Sequence, residues 1–307
     1  MKKYLLITIL FVFSLNISFS QKRMMYCYPV LNDYVEQNLF QEALDDILAK
    51  DSLSNSDIYN LAICYSNLGD FEKAQKNLMD FIKKVEYNLT PAIFLDYRIS
   101  ALRESNYLEN VYQLLIEKFL YESGPITDTA LAIKIMEHGI LDQKYRGLII
   151  TQPSEVGENG DLKFIIAENV DSINTIFLDS IVQKYGWPTF SMVGKIAGDY
   201  AFLFMQHSDK TSFKKHLGLM EEAVKNNEAD KFRWATAYDR YRLYRGKRQI
   251  YGTQYRCRII DGVTQPCELA PTKQKRKVNE RRKEFGFTTT VEEEIEKHNK
   301  NKVTFYK

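Results

Sequence analysis

The sequence of 307 residues holds only 4 cysteines, 4 histidines, 7 prolines and 14 glycines, and its 42 Lys+Arg stand against 40 Asp+Glu. So few cysteines in so long a chain exclude a disulfide-dense miniprotein, and so few glycines and prolines exclude a collagen-like repeat. The near-zero balance removes any global basic field of the kind a nucleic-acid binder presents. Chemical signatures are missing as well. There is no glycine-rich phosphate loop, no His-x-x-x-His or Cys-x-x-Cys spacing and no Gly-x-Ser-x-Gly turn. The histidines at 138, 207, 216 and 298 have no metal-ligand spacing, so the sequence points to neither a metal nor a cofactor. Past the first twenty residues, no stretch is long and apolar enough to span a bilayer, so the chain is not expected to be membrane-embedded.

What is present is a 45% hydrophobic chain, long enough for one large or two ordinary domains with ample core. Residues 1–20 read as a signal peptide: Lys2 and Lys3 lead, Leu5 to Leu15 is apolar, and Ser18 and Ser20 place small side chains before a cleavage site at Gln21. The expected location is therefore extracytoplasmic, periplasmic or secreted. Cys27 lacks the small neighbours that lipid attachment needs. After cleavage the charges balance at 40 of each sign, but unevenly. Residues 21–240 hold 23 basic and 32 acidic groups, net −9, and residues 241–307 hold 17 and 8, net +9. Attraction between the acidic body and the basic arm, within one chain or between copies, follows as an expectation.

Residues 56–84 carry a repeat pattern. Leu61, Ala62 and Tyr65 share one helical face, Gly69-Asp70-Phe71 turns the chain, and Ala74, Leu78 and Phe81 continue on a second helix. Ala74 lets the two helices approach, and Gly69 closes the turn. A weaker copy, Tyr34, Phe40, Ala43 and Ile47, precedes it, with Ala43 and Ala74 separated by 31 residues. A degenerate third pair is expected over 91–121, with Leu95, Ile99, Leu102, Val111, Leu114 and Leu115. These residues resemble the tetratricopeptide repeat, whose period is about 34 residues. The resemblance implies helical hairpins over 21–126 and a groove for a protein or peptide partner, or else a helical spacer. Cys64, beside Tyr65, reads as a small buried residue.

The remainder reads as mainly α with one hairpin, so the whole chain is expected to be mainly α. Ile173, Ile176, Phe177, Ile181 and Tyr185 recur at helical spacing over 173–185, and Gly186 stops that helix. Helices follow at about 192–207, 211–225 and 229–245, with stripes that include Val193, Ile196, Tyr200 and Phe204, then Phe213, Leu217 and Met220, then Phe232, Trp234 and Tyr238. Polar motifs punctuate them: Asp142-Gln143 with Arg146, Tyr185-Gly186-Trp187-Pro188, Val193-Gly194, Gln206-His207 with Asp209, Asp239-Arg240, Gln249 with Tyr251-Gly252-Thr253-Gln254, and Arg281-Arg282 before Gly286. In that order, over roughly 130–290, they resemble a bacterial domain family of unknown function known mainly from exported or hypothetical proteins. The resemblance implies a domain at 127–290, followed by a charged tail at 291–307, and no established activity. The Cys257/Cys267 pair departs from its pattern.

Each motif has a physical reading. His207 ends a helix on its apolar stripe, and with Asp209 beside it could be an acid or base near neutrality. It could equally cap the helix C-terminus. Asp142 and Arg146 are i,i+4 partners, and Asp239-Arg240 is a candidate ion pair. Trp187-Pro188 reads as a helix stop with an aromatic wedge. Together Asp142, Gln143, Arg146, Asp239, Arg240, Gln254 and Arg282 are candidates to position a small polar or anionic ligand, with His207 and Asp209 as candidate catalytic residues.

Over 249–270 a hairpin is expected, turning at Asp261-Gly262. A two-residue turn pairs Cys257 with Pro266, which puts Cys257 and Cys267 on opposite faces. One extra residue, in a bulge at Pro266 or in a looser turn, brings them together, and in an oxidising compartment they are expected to form a disulfide. Gly252, inside the expected strand, marks a bulge or a close approach. Residues 272–283 hold seven basic groups and one acid without interleaved aromatics, which reads as a solvated segment over the acidic body, not as a nucleic-acid patch. Two functional classes remain: a non-catalytic exported interaction or scaffold protein, and an enzyme or small-ligand-binding protein built around His207.

Overall fold

Helix-forming runs broken by capping residues set the architecture, and the chain is mainly α with one β-hairpin. The computed structural model describes residues 38–85, 96–99, 101–102, 105–150, 158–257, 259–260 and 263–305, with side chains excepted at 145–168, 259–264 and beyond 299. The expected signal peptide, Cys27, Tyr34 and Leu95 lie outside the described residues, as do the turn residues Asp261 and Gly262 and the side chain of Arg146. Two compact units are present, dividing between Ser212 and Phe213. The expected boundary near residue 127 lies within the first, where the Thr127 and Asp128 amides donate to the Ser191 and Met192 carbonyls at 3.1 and 2.9 Å.

The first unit begins with three helices: α1 (Phe40–Leu48), α2 (Asn55–Asn67) and α3 (Phe71–Lys84). Ser54 and Asp57 form a reciprocal capping box at the start of α2, and Asp70 caps α3. Such caps satisfy amide groups that have no partner inside the helix. Consecutive helices pack on one another, α2 and α3 most closely. Their contact is made by Leu61, Ala62, Ala74, Leu78 and Phe81, all buried as the spacing requires. Cys64 is fully buried, and burial pushes its thiol up to about 11. Of the expected third pair, the second helix is α4 (Glu109–Ser123); much of the segment expected as the first lies outside the described residues, which hold two 3-10 turns, Tyr97–Ile99 and Asn106–Leu108, before α4. A salt bridge missed by pattern reading anchors the first turn. Arg98 and Asp96 are fully buried at 2.7 Å, and the Tyr59 hydroxyl donates to Asp96 at 2.8 Å.

Three longer helices complete this unit: α5 (Thr129–Ile150), α6 (Glu158–Tyr185) and α7 (Phe190–His207). They pack on one another, and α4 lies against α5 and α7. The stripe expected on α6 is corrected. Ile173 and Ile176 are 56% and 70% exposed, whereas Asn174, Leu178, Ile181 and Val182 are buried. Hydrophobicity misplaced the face because a polar residue, Asn174, sits in the middle of the inward stripe. The stripe of α7 is buried as expected, and a non-helical Gly194 kinks it. Trp187 is buried just past the end of α6, where Gly186 has φ +79°.

The second unit holds most of α8 (Lys210–Lys225), then α9 (Lys231–Tyr244), α10 (Val278–Phe285) and α11 (Val291–Phe305). Between α9 and α10 run four short strands: β1 (Tyr255–Arg256), β2 (Ile259–Ile260), β3 (Val263–Thr264) and β4 (Glu268–Leu269). Ile260 faces Val263 and Ile259 faces Thr264, but Arg256 faces Glu268 and Tyr255 faces Leu269. Between those two sets of pairs the chain has two positions on the outgoing side and three on the returning side, one residue more. Proline suits the extra position because it has no amide to pair. The bulge brings the two cysteines together in a disulfide, with Cα atoms 4.2 Å apart. The charged segment from 291 is helical and joins the unit at its start: Val291 is buried, and Asn299 on α11 accepts from the Cys267 amide at 2.7 Å.

Candidate functional site

Three helices of the first unit bring one polar cluster together. Asp142 projects from α5, Asp171 and Asn174 from α6, and His207 from the last turn of α7. Asp142 is fully buried, and its Oδ1 lies 2.9 Å from His207 Nδ1. Asp171 Oδ1 lies 3.8 Å from the same ring nitrogen. Supporting groups hold the buried carboxylate. Gln143 Nε2 donates to Asp142 Oδ2 at 2.7 Å, and Asn174 Nδ2 approaches Asp142 Oδ1 at 3.4 Å. Asn174 is held in turn by His138 Nδ1 at 2.9 Å, and the His138 ring stacks on Phe177 at 3.9 Å.

Solvent reaches this cluster from one side. Asp142 has 0% side-chain exposure, His207 11% and Asp171 23%. Tyr200 lies on the buried side. Gly139 makes room for it, since a Cβ there would stand 2.2 Å from the Tyr200 ring. The buried Tyr200 hydroxyl has no hydrogen-bond partner among the described residues. Burial and the Asp142 and Asp199 charges push this hydroxyl well above the usual tyrosine range. The carboxylate ligand atoms of Asp142 and Asp171 and the imidazole of His207 all lie within 4.8 Å of one another. A hydrogen-bonded His–Asp pair can exchange protons, and the same three groups are ligands for a divalent cation.

Of the sequence candidates, Asp142, Gln143 and His207 come together. Asp209 serves differently. Its Oδ1 accepts from the Thr211 and Ser212 amides at 2.7 and 3.2 Å, which caps the start of α8. Hydrogen bonds from the Ser212 side chain and those two amides hold its carboxyl below the usual range. The carboxylate on His207 is Asp142, which sequence proximity could not show. Asp171, Asn174 and His138 were missed too. Their only sequence signal is that Asp171 and Asn174 share the inward stripe of α6 with Leu178, polar groups at core positions.

Asp239, Gln254 and Arg282 belong to the second unit, where their polar atoms are taken up by the chain. The buried Asp239 carboxylate accepts from the Ile250, Tyr251 and Thr253 amides at 2.6 to 3.1 Å and from the Thr253 hydroxyl at 3.0 Å. Burial pushes this carboxyl up, against the pull of those donors. The Tyr251–Gln254 segment, expected to open a strand, is a loop wrapped around Asp239. Gln249, which precedes that motif, ties the loop to the hairpin through the Gln254 and Ala270 carbonyls, both at 3.0 Å. Gln254 Nε2 donates to the Thr236 carbonyl at 3.2 Å. Arg282 donates to the Thr289 and Tyr251 carbonyls at 2.9 and 3.0 Å and covers the Phe287 ring. Gly252, with φ +71°, is required by packing: a Cβ there would stand 2.6 Å from Val291. Arg240 is half-buried near the Tyr244 ring. These motifs build a hydrogen-bonded knot that fixes the hairpin.

The protein is thus a mainly α protein with a histidine–carboxylate cluster in one unit and a polar structural knot in the other. Residues 141–301, just over half of the chain, match a family of unknown function, DUF6624, and the chain belongs to that family. The match takes in Asp142, Asp171, His207, Asp239, Gln254 and Arg282. No curated protein and no solved structure matches the chain.

Proposed function

We propose that this protein is exported and binds a small polar ligand at the cluster centred on His207, where the imidazole can act as an acid or base. One observation carries this reading: His207 Nδ1 meets a fully buried carboxylate, Asp142, at 2.9 Å, on a side chain that still has 11% exposure. Burying a carboxylate is costly unless it is paired. A surface helix cap needs no such partner, so the pairing favours function over the bland alternative. Asp142 orients the ring, which is what proton transfer at a bound ligand requires.

A second reading concerns the N-terminal helices. The pairing of α1 with α2 and of α2 with α3 supports a tetratricopeptide-like surface that docks a protein or peptide partner, so that the family domain works within an assembly. The opposed charges of residues 21–240 and 241–307 support self-association as a further contact, and nucleic acid is not among the partners proposed. The test of the main reading is a thermal-shift screen of small polar metabolites against the purified chain and against His207→Ala. The expected result is a ligand that stabilises the parent chain and not the variant. Equal shifts in both would overturn the reading.

A further inference from the structure

We propose that Asp142, Asp171 and His207 form a binding site for one divalent transition-metal ion. The inference rests on the reading of this cluster as a ligand site and names what the site takes first. It comes from geometry that sequence spacing hides, because the three ligands are far apart in the chain and come from three helices.

The donor set suits such an ion. Imidazole nitrogen favours zinc and its neighbours, and carboxylate oxygen widens the choice to manganese. The three atoms surround a common point. His207 Nδ1 is 2.9 Å from Asp142 Oδ1 and 3.8 Å from Asp171 Oδ1, and all three lie within 4.8 Å of one another. Bonds of about 2.0–2.2 Å to an ion at that point require shifts of only a few tenths of an ångström. The ion takes the place of the proton between His207 Nδ1 and Asp142, which moves to Nε2 of the ring, so one hydrogen bond is exchanged for two metal bonds.

The surroundings are those of a built site. Gln143 and Asn174 both donate to Asp142, and His138 holds Asn174, so the most buried ligand is oriented by outer partners. Tyr200, whose buried hydroxyl lacks a hydrogen-bond partner among the described residues, lies close enough to feel the Asp142 charge. Three protein ligands, with solvent access on the Asp171 side, leave open the coordination that a reactive water or a substrate oxygen needs.

The test uses the purified chain, stripped with a chelator, and zinc and manganese ions as probes in equilibrium titration. One ion should bind per chain. Affinity should fall by about tenfold or more in Asp171→Asn and in His207→Ala. Asp171 is the most exposed of the three, so its variant keeps the fold, and circular dichroism checks both. No stoichiometric binding, or binding that both variants leave unchanged, overturns the proposal. Screening the metal-free chain with small metabolites separates the two readings. A ligand lost only with His207→Ala, without metal binding, keeps the ligand site and rejects the metal.

Discussion

Asp142 and His207 lie 65 residues apart in sequence and 2.9 Å apart in the fold, and the carboxylate is the more deeply buried of the two. Removing it strands three groups, because Gln143, Asn174 and His207 all direct polar atoms at it. Asp142→Ala should cost roughly 2–4 kcal/mol of stability in urea unfolding, while Asp142→Asn should cost less. Equal, negligible costs for both would show that the pairing carries no weight.

Asp239 is the second buried carboxylate under test. Five donor contacts converge on it from residues 250–253. Asp239→Ala should destabilise by roughly 3 kcal/mol or more. Hydrogen exchange should show the 249–254 amides losing protection first. Arg240→Ala, one residue on, should cost far less. If the two variants behaved alike, the motif would matter as an ion pair and not as a loop anchor.

The disulfide Cys257–Cys267 closes a loop with a sequence separation of 10. Loop-closure entropy for that size makes the crosslink worth roughly 2–3 kcal/mol. Reduction should lower the melting temperature of the parent chain and leave a Cys257→Ser/Cys267→Ser double variant unchanged. Alkylation of both thiols without prior reduction would contradict the crosslink.

Acid should weaken the first unit through Asp96. Burial pushes its carboxyl up, but the Arg98 guanidinium and the hydrogen bonds from Arg98 and Tyr59 outweigh this and hold it below the usual range. A depressed folded-state value contributes stability that is full above the unfolded carboxylate value of about 3.9 and is lost as pH falls through the folded one. Asp96→Asn should therefore be less stable than the parent near neutrality, with the gap narrowing below about pH 4. A gap independent of pH would mean that the pair contributes through shape alone.

Much of the fold was legible in the sequence, and most of the site was not. Apolar periodicity located α2, α3 and α7. Cysteine placement and alternation located the bulge at Pro266. Periodicity failed where polar residues occupy core positions, as with Asn174 on α6, and it gave no sign of the buried Asp96–Arg98 bridge. His207 stood out as a residue type, but its true partner is remote in sequence, and adjacency pointed to Asp209. The Tyr251–Gln254 motif looked functional for the same reason: buried hydrogen-bonding residues have one sequence signature whether they hold a ligand or a loop.

The charge asymmetry leads to a solution measurement. Net charges of −9 and +9 on residues 21–240 and 241–307 should make any self-association weaken as salt rises. Sedimentation at low and high ionic strength checks this, and an unchanged profile of associated species would rule out the electrostatic origin.

The most direct test of the central claim is native mass spectrometry of the purified chain after exposure to a metabolite extract, beside His207→Ala treated identically. The account predicts an adduct of defined mass on the parent chain that is absent from the variant. Identical spectra for the two proteins would contradict it.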